Sequence, residues 1–160
     1  MHLHSLRVFL ASLLFAASLH AASPYQAGDT FEAFTTKDQH DRPYTFAPGV
    51  RHVIVSFVMG TGRDANAFFA KQPADYLDRH QAIFVSNIHG MPGIGRRFAL
   101  PKMKKYPHRI LLADEEHFLD RYPAQERKLT VLDLDADGKV ASVRFLDPEK
   151  EMDALFPSQP

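Results

Sequence analysis

Three short, mainly apolar runs interrupt an otherwise mixed chain: His52–Phe57 (HVIVSF), Ala82–Asn87 (AIFVSN) and His108–Ala113 (HRILLA). Their length, their Val and Ile content and their lack of polar alternation predict strands buried on both faces, as in sheets covered by helices. The segments between them predict helices. Asp64 is placed to cap Ala65–Lys71, and Pro73 suits the first turn of Pro73–Arg79. Ile94–Leu100 follows the loop Ile88–Gly93, and Pro101 opens a further turn that Tyr106-Pro107 closes. Leu129–Leu134 and Lys139–Phe145 flank Asp135-Ala-Asp-Gly138, whose Asp-Gly pair predicts a hairpin. Asp147-Pro148 then predicts a terminal helix to about Phe156, stopped by Pro157.

Residues 24–50 are punctuated by Pro24, Gly28, Asp29, Pro43, Pro48 and Gly49. Phe31 and Phe34 are expected to pack inward, and Asp38-Gln-His-Asp41 to turn before a short Tyr44–Phe46 strand. Parallel strands with helices between them, then an antiparallel pair, give an α/β class: a central mixed sheet with flanking helices and a late antiparallel hairpin.

Upstream, Arg7 and the amino terminus precede the apolar run Val8–Leu19, and small residues follow at Ala21, Ala22 and Ser23. This is the layout of a secretory signal peptide over residues 1–22, cleaved after Ala21 or Ala22, with an uncleaved amino-terminal anchor as the competing reading. The run is too short for a span of ~20 apolar residues, so no membrane span is expected after cleavage. Residues 23–160 form one domain, expected in the periplasm or secreted. Lys plus Arg number 19 and Asp plus Glu number 19, so no net field draws the chain to nucleic acid. Cysteine is absent from all 160 residues. That removes disulfides, thiol nucleophiles, thiolate metal sites and thiol-based redox chemistry.

The strand and helix order, with Ala27–Gln39 as an opening hairpin and Leu129–Val140 as a late one, resembles the thioredoxin-like fold of the peroxiredoxin and thiol–disulfide exchange superfamily. Gly90–Met103, followed by Tyr106-Pro107, is similar to small exported, cysteine-free thioredoxin-like proteins related to the periplasmic protein YtfJ. Some of that group carry the label FAD/FMN-containing dehydrogenase, but no G-x-G-x-x-G turn stands here at a strand-to-helix junction. The resemblance implies a redox-inactive member. Gly62-Arg-Asp-Ala65 stands by spacing where the superfamily carries C-x-x-C, and Arg127-Lys128 stands in place of its cis-proline.

Arg63, Asp64 and Asn66 fall at the predicted start of the first helix, where free N–H groups can hold a small carboxylate or phosphate. As a cap, Asp64 would compete for those groups. Gly90–Gly95 with Arg96 and Arg97 is a second candidate anion loop, although it lacks the Walker lysine and hydroxyl, and a turn before a helix also explains it. Lys102, Lys104, Lys105, His108 and Arg109 extend a basic stretch that reads as a solvated face. His89 and Met91, with Met59, Met103 or His108, have the thioether and imidazole chemistry of a Cu(I) site, although no His pair has helical ligand spacing. Asp133-x-Asp-x-Asp137-Gly138 opens like a calcium loop, but its twelfth position is Arg144. Ser56, Ser86 and Ser142 lie in no nucleophile elbow. His52 and His80 read as core-edge or solvated; Phe57, Phe68, Phe69, Phe84 and Phe98 read as core.

The expectation is therefore a non-catalytic binding or interaction module, with no catalytic residue and no metal site assigned and the cofactor left open. Its ligand-binding residues are expected to be Arg63, Asp64, Asn66, His89, Arg96 and Arg97, its partner another periplasmic protein or a small anion. They lie beyond the carboxyl ends of the strands, where open α/β sheets gather ligands. The alternatives are an oxidoreductase using a bound flavin or metal, and a periplasmic copper or small-anion carrier.

Overall fold

The computed structural model describes residues 23–156, so the leader expected over 1–22 and the stop at Pro157 lie outside the described residues. The apolar runs become neighbours in one sheet. Strands β1 (Thr35–Asp38), β2 (Pro43–Thr45), β3 (His52–Ser56), β4 (Ala82–Asn87), β5 (Leu111–Ala113), β6 (Leu129–Leu134) and β7 (Val140–Leu146) pair in the order β2-β1-β5-β4-β3-β6-β7. β3, β4 and β5 are parallel, with Val53 opposite Ile83 and Val85 opposite Leu111. β6 and β7 form the expected antiparallel hairpin, and β6 also pairs antiparallel with β3.

Because successive strand side chains point to opposite faces, each apolar run feeds two cores. Ile54, Phe84, Leu112, Leu129 and Val131 meet the helices through Ala65, Phe69, Leu77 and Met103. Val53, Val55, Ile83, Val85 and Leu132 meet Tyr25, Phe31 and Tyr122 on the other face.

Helix α1 (Met59–Phe69) starts five residues before Asp64, which is therefore mid-helix and caps nothing; Val58 holds the N-cap position. Glycines at 60 and 62 are poor helix formers. Tertiary bonding overrides them. The Ser56 and Thr61 hydroxyls lie 2.9 Å apart and 3.0 and 3.1 Å from the Val58 carbonyl, one donating to the carbonyl and the other to its neighbour.

Helix α2 (Tyr76–Arg79) begins after Pro73, whose carbonyl accepts the Tyr76 N–H at 2.9 Å in a preceding turn. Helix α3 (Gly93–Met103) merges the two predicted helical pieces, with Pro101 inside it. Arg97, whose carbonyl loses its partner at Pro101, is exposed, so water can serve it. Phe98, expected in the core, is 72% exposed.

The third strand is shorter than its apolar run because Gln39 takes over the pairing. Its side chain donates to the His108 carbonyl at 2.8 Å and accepts the Ile110 N–H at 2.9 Å. The terminal helix reduces to a turn and a 3-10 segment, Met152–Ala154. Asp147 accepts the Glu149 N–H at 3.0 Å while Glu151 accepts the Asp147 N–H at 2.6 Å. That closes one turn and lets Met152 and Leu155 enter the core.

Candidate functional site

The carboxyl ends of β3 and β4 deliver Ser56, Ser86 and Asn87, and the hydroxyl tie behind α1 brings the helix directly over the two serines. A Cβ at Gly62 would stand 3.0 Å from Ser56 Oγ and 3.5 Å from Ser86 Oγ, so any side chain there would make Ser56 give by a few tenths of an ångström. The position that matches a cysteine by spacing thus has no room for an unadjusted side chain. α1, the end of β4 and α3 enclose a groove of about 290 Å³. Gly62, Asn66 and Ser86 lie among its lining, with Met59, Met91, Phe98 and Met103 as apolar contributors and Arg63 and Lys102 as its charged ones.

The six expected ligand-binding residues separate here. Arg63 and Asn66 line the groove, Asn66 from mid-helix and not from a helix start. Asp64 lies outside it and meets Arg63 at 3.2 Å. Arg96 is committed elsewhere. Its guanidinium makes two bonds to Asp114, at 2.7 and 2.6 Å, and one to the Ile88 carbonyl at 3.0 Å. These bonds hold the Asp114 carboxyl below its ordinary range. His89 Nδ1 donates to the Asp114 carbonyl at 2.9 Å. The pair therefore staples α3 and its preceding loop to the end of β5. Arg97 is exposed and outside the groove lining.

Asn66 and His108 form a buried pair, with Asn66 Oδ1 2.8 Å from His108 Nε2. Burial pushes the His108 imidazole down to about 4, so it is neutral at physiological pH. Its Nδ1 is buried without a partner. An orphaned lone pair is tolerated better than an orphaned N–H, which places the proton on Nε2 and makes Asn66 Oδ1 the acceptor. His108 is thus a buried core group whose Nε2 proton is spent on Asn66.

Among the described residues, no three His, Cys, Asp or Glu side chains gather as a metal site. The EF-hand resemblance ends at the same point: Arg144, at the twelfth position, binds Asp133 through Nε at 2.6 Å and Nη2 at 2.9 Å. A flavin does not fit the groove well. Its volume lies near the lower bound for small-molecule pockets. The loop before α3 also lacks the glycine spacing that lets a diphosphate approach.

Ser86 and Phe98 were not expected at the site. Periodicity assigns Ser86 to a buried strand. The spacing of Ile94 and Phe98, four residues apart on one side of a helix, was the available signal for an exposed apolar stripe.

No protein-family model matches the chain, and no curated protein matches it in sequence. Solved structures do match. Peroxidoxin BcpB from Mycobacterium tuberculosis is 16% identical with a TM-score of 0.54, over 82% of this chain and 94% of that one. The thioredoxin domain of a thiol-disulfide oxidoreductase from Bacteroides vulgatus is 14% identical with a TM-score of 0.53, over 82% and 98%. Peroxiredoxin Q from Xanthomonas campestris is 9% identical with a TM-score of 0.54, over 79% and 94%. Identities this low speak to architecture alone. The chain has a thioredoxin-like fold, a central mixed sheet with flanking helices, and it carries no cysteine.

Proposed function

We propose that this protein is an exported, non-catalytic binding module that docks a partner at the carboxyl end of its sheet. One observation carries the reading. The large hydrophobic residues exposed among the described residues are Val58, Met59, Ile94 and Phe98, all on the segments that border the groove. Scattered exposed apolar side chains need no explanation, but a patch confined to one end of a domain marks an interaction surface. Complete loss of cysteine removes thiol turnover and leaves that surface intact.

A copper(I) carrier is the second reading, favoured by Met59, Met91 and Met103 lining one groove. Arg63 and Lys102 oppose a cation there, and the His89 ring already serves Asp114. Competition with a copper(I) chelator separates the two readings, because docking through the apolar patch needs no metal.

The direct test is photo-crosslinking in the exporting cell, with a benzophenone amino acid at position 98 and, as a control, at position 137 in the distal hairpin turn. A discrete adduct at 98 and none at 137 is the expected result. Equal adducts at both, or none at 98, would overturn the docking reading. The same preparation tests export: a mature chain starting at Ala22 or Ser23 is expected in the periplasmic fraction or the medium.

A further inference from the structure

The floor of the groove carries polar groups that the protein does not use. Asn66 is 4% exposed, and its Oδ1 is taken by His108. Its Nδ2 has no hydrogen-bond partner among the described residues, and neither has Ser86 Oγ, on a residue 8% exposed. Neither atom is sealed from solvent, so both are free to donate to an acceptor that enters the groove.

Charge points the same way. The groove lining contains Arg63 and Lys102 and no carboxylate. The sequence has no Asp or Glu between Asp78 and Asp114, which is the stretch that builds β4, α3 and their loop. Arg63 is shared with Asp64, whereas Lys102 has no ion pair among the described residues. The acceptor is therefore expected to be an anion, and two N–H or O–H donors below one ammonium suit a carboxylate.

The occupant is larger than the cavity. Val58 and Ile94 lie outside the groove lining yet are exposed beside it, so a ligand that only filled the groove would leave both in water. A polypeptide segment covers them; a small carboxylate does not. A flat anionic membrane could meet the apolar patch and the basic helix, but it could not reach donors at a cavity floor.

Resting on the binding reading above, we infer that the groove is selective for an acidic, apolar-flanked segment of a partner polypeptide. One carboxylate is received by Asn66 Nδ2 and Ser86 Oγ with Lys102 beside it, and apolar neighbours lie against Met59 and Phe98.

Three display libraries of eight-residue peptides test this, with Glu, Gln or Lys fixed at position four and apolar residues randomised around it. The best binder from each is then measured by fluorescence anisotropy on the purified protein. The Glu peptide is expected to bind about tenfold tighter than its Gln counterpart, the difference a charge-assisted hydrogen bond supplies. Lys102→Gln and Ser86→Ala should remove that preference. Lys102 is exposed and Ser86 Oγ makes no internal bond, so both variants should fold. Phe98→Ser should weaken all three peptides alike.

Equal binding of the Glu and Gln peptides, with Phe98→Ser still weakening both, would overturn carboxylate selectivity and leave the docking reading standing. Failure of every peptide, with the crosslink at position 98 intact, would also overturn the inference alone. Insensitivity of all binding to Phe98→Ser would overturn the docking reading itself. Tight binding to phosphatidylglycerol vesicles, with no peptide bound, would make the surface a membrane one and sink the inference.

Discussion

His108 controls the groove without touching it. Its neutral ring and Nε2 proton fix the Asn66 amide, so that Nδ2 is the atom left unused. The same burial makes it a pH-sensitive group. Its pKa falls from 6.5 to about 4 on folding, so below pH 6.5 the unfolded chain binds a proton that the folded chain refuses. Stability from this group is complete at pH 7 and is lost as pH falls from 6.5 towards 4, by about 3 kcal/mol. His108→Gln should lose that part of the acid dependence, measured as urea midpoints between pH 7 and pH 4. An unchanged pH profile in the variant would show that the ring is not buried neutral. Asp133 is the contrasting case. Burial pushes its carboxyl up, but hydrogen bonds from Arg144, His52 and Ser142 outweigh it and hold the group well below the ordinary range.

At the scale of elements, the start of α1 and the staple of α3 shape the groove. The Ser56–Thr61–Val58 tie lets a helix begin on a glycine-rich turn, and Gly62 then lies against Ser56. Gly62→Ala should gain helix propensity of up to about 1 kcal/mol but meet an overpacking cost of about 1–3 kcal/mol. In a Ser56→Ala background the closest contact disappears, so the same change should turn neutral or stabilising. A double-mutant cycle by urea unfolding reads the coupling, and additive effects would contradict the close approach. On α3, Asp114→Asn should cost under about 1 kcal/mol, because the Arg96 pair is partly exposed. It should nonetheless speed amide exchange across Ile88–Gly95, where the staple holds the loop.

At the scale of the molecule, both faces of the sheet are closed by the ends of the described chain. Tyr25 and Phe31 complete one core, and Met152 and Leu155 complete the other. Arg144 ties the carboxyl-terminal segment down through the Ala154 and Leu155 carbonyls, at 3.2 and 3.0 Å, while binding Asp133. Phe156 stacks on His80 with ring centroids 4.1 Å apart and also meets His52 and Tyr76. Leu155 is fully buried, so Leu155→Ala should cost about 2–5 kcal/mol in urea unfolding. A loss well below that range would mean the terminal segment is not part of the cooperative core.

The buried strands, the late hairpin and the α/β order were legible in the sequence, because apolar runs and an Asp-Gly turn are local signals. The absence of thiol chemistry was equally legible, as a matter of composition. Helix starts were not: Met59–Gly62 is helical because Ser56 and Thr61 tie the Val58 carbonyl, a preference that glycine propensities oppose. The site divided along the same line. Arg63 and Asn66, expected from a helix start that lies elsewhere, line the groove, whereas the Arg96 and His89 side chains bond Asp114 across the sheet end. Asn66 became a candidate donor only through His108, 42 residues away in sequence. Residue type and periodicity determine which segments must be buried and which chemistry is excluded. Which polar atom is spent and which is left for a ligand depends on long-range partners, and only the tertiary structure decides that.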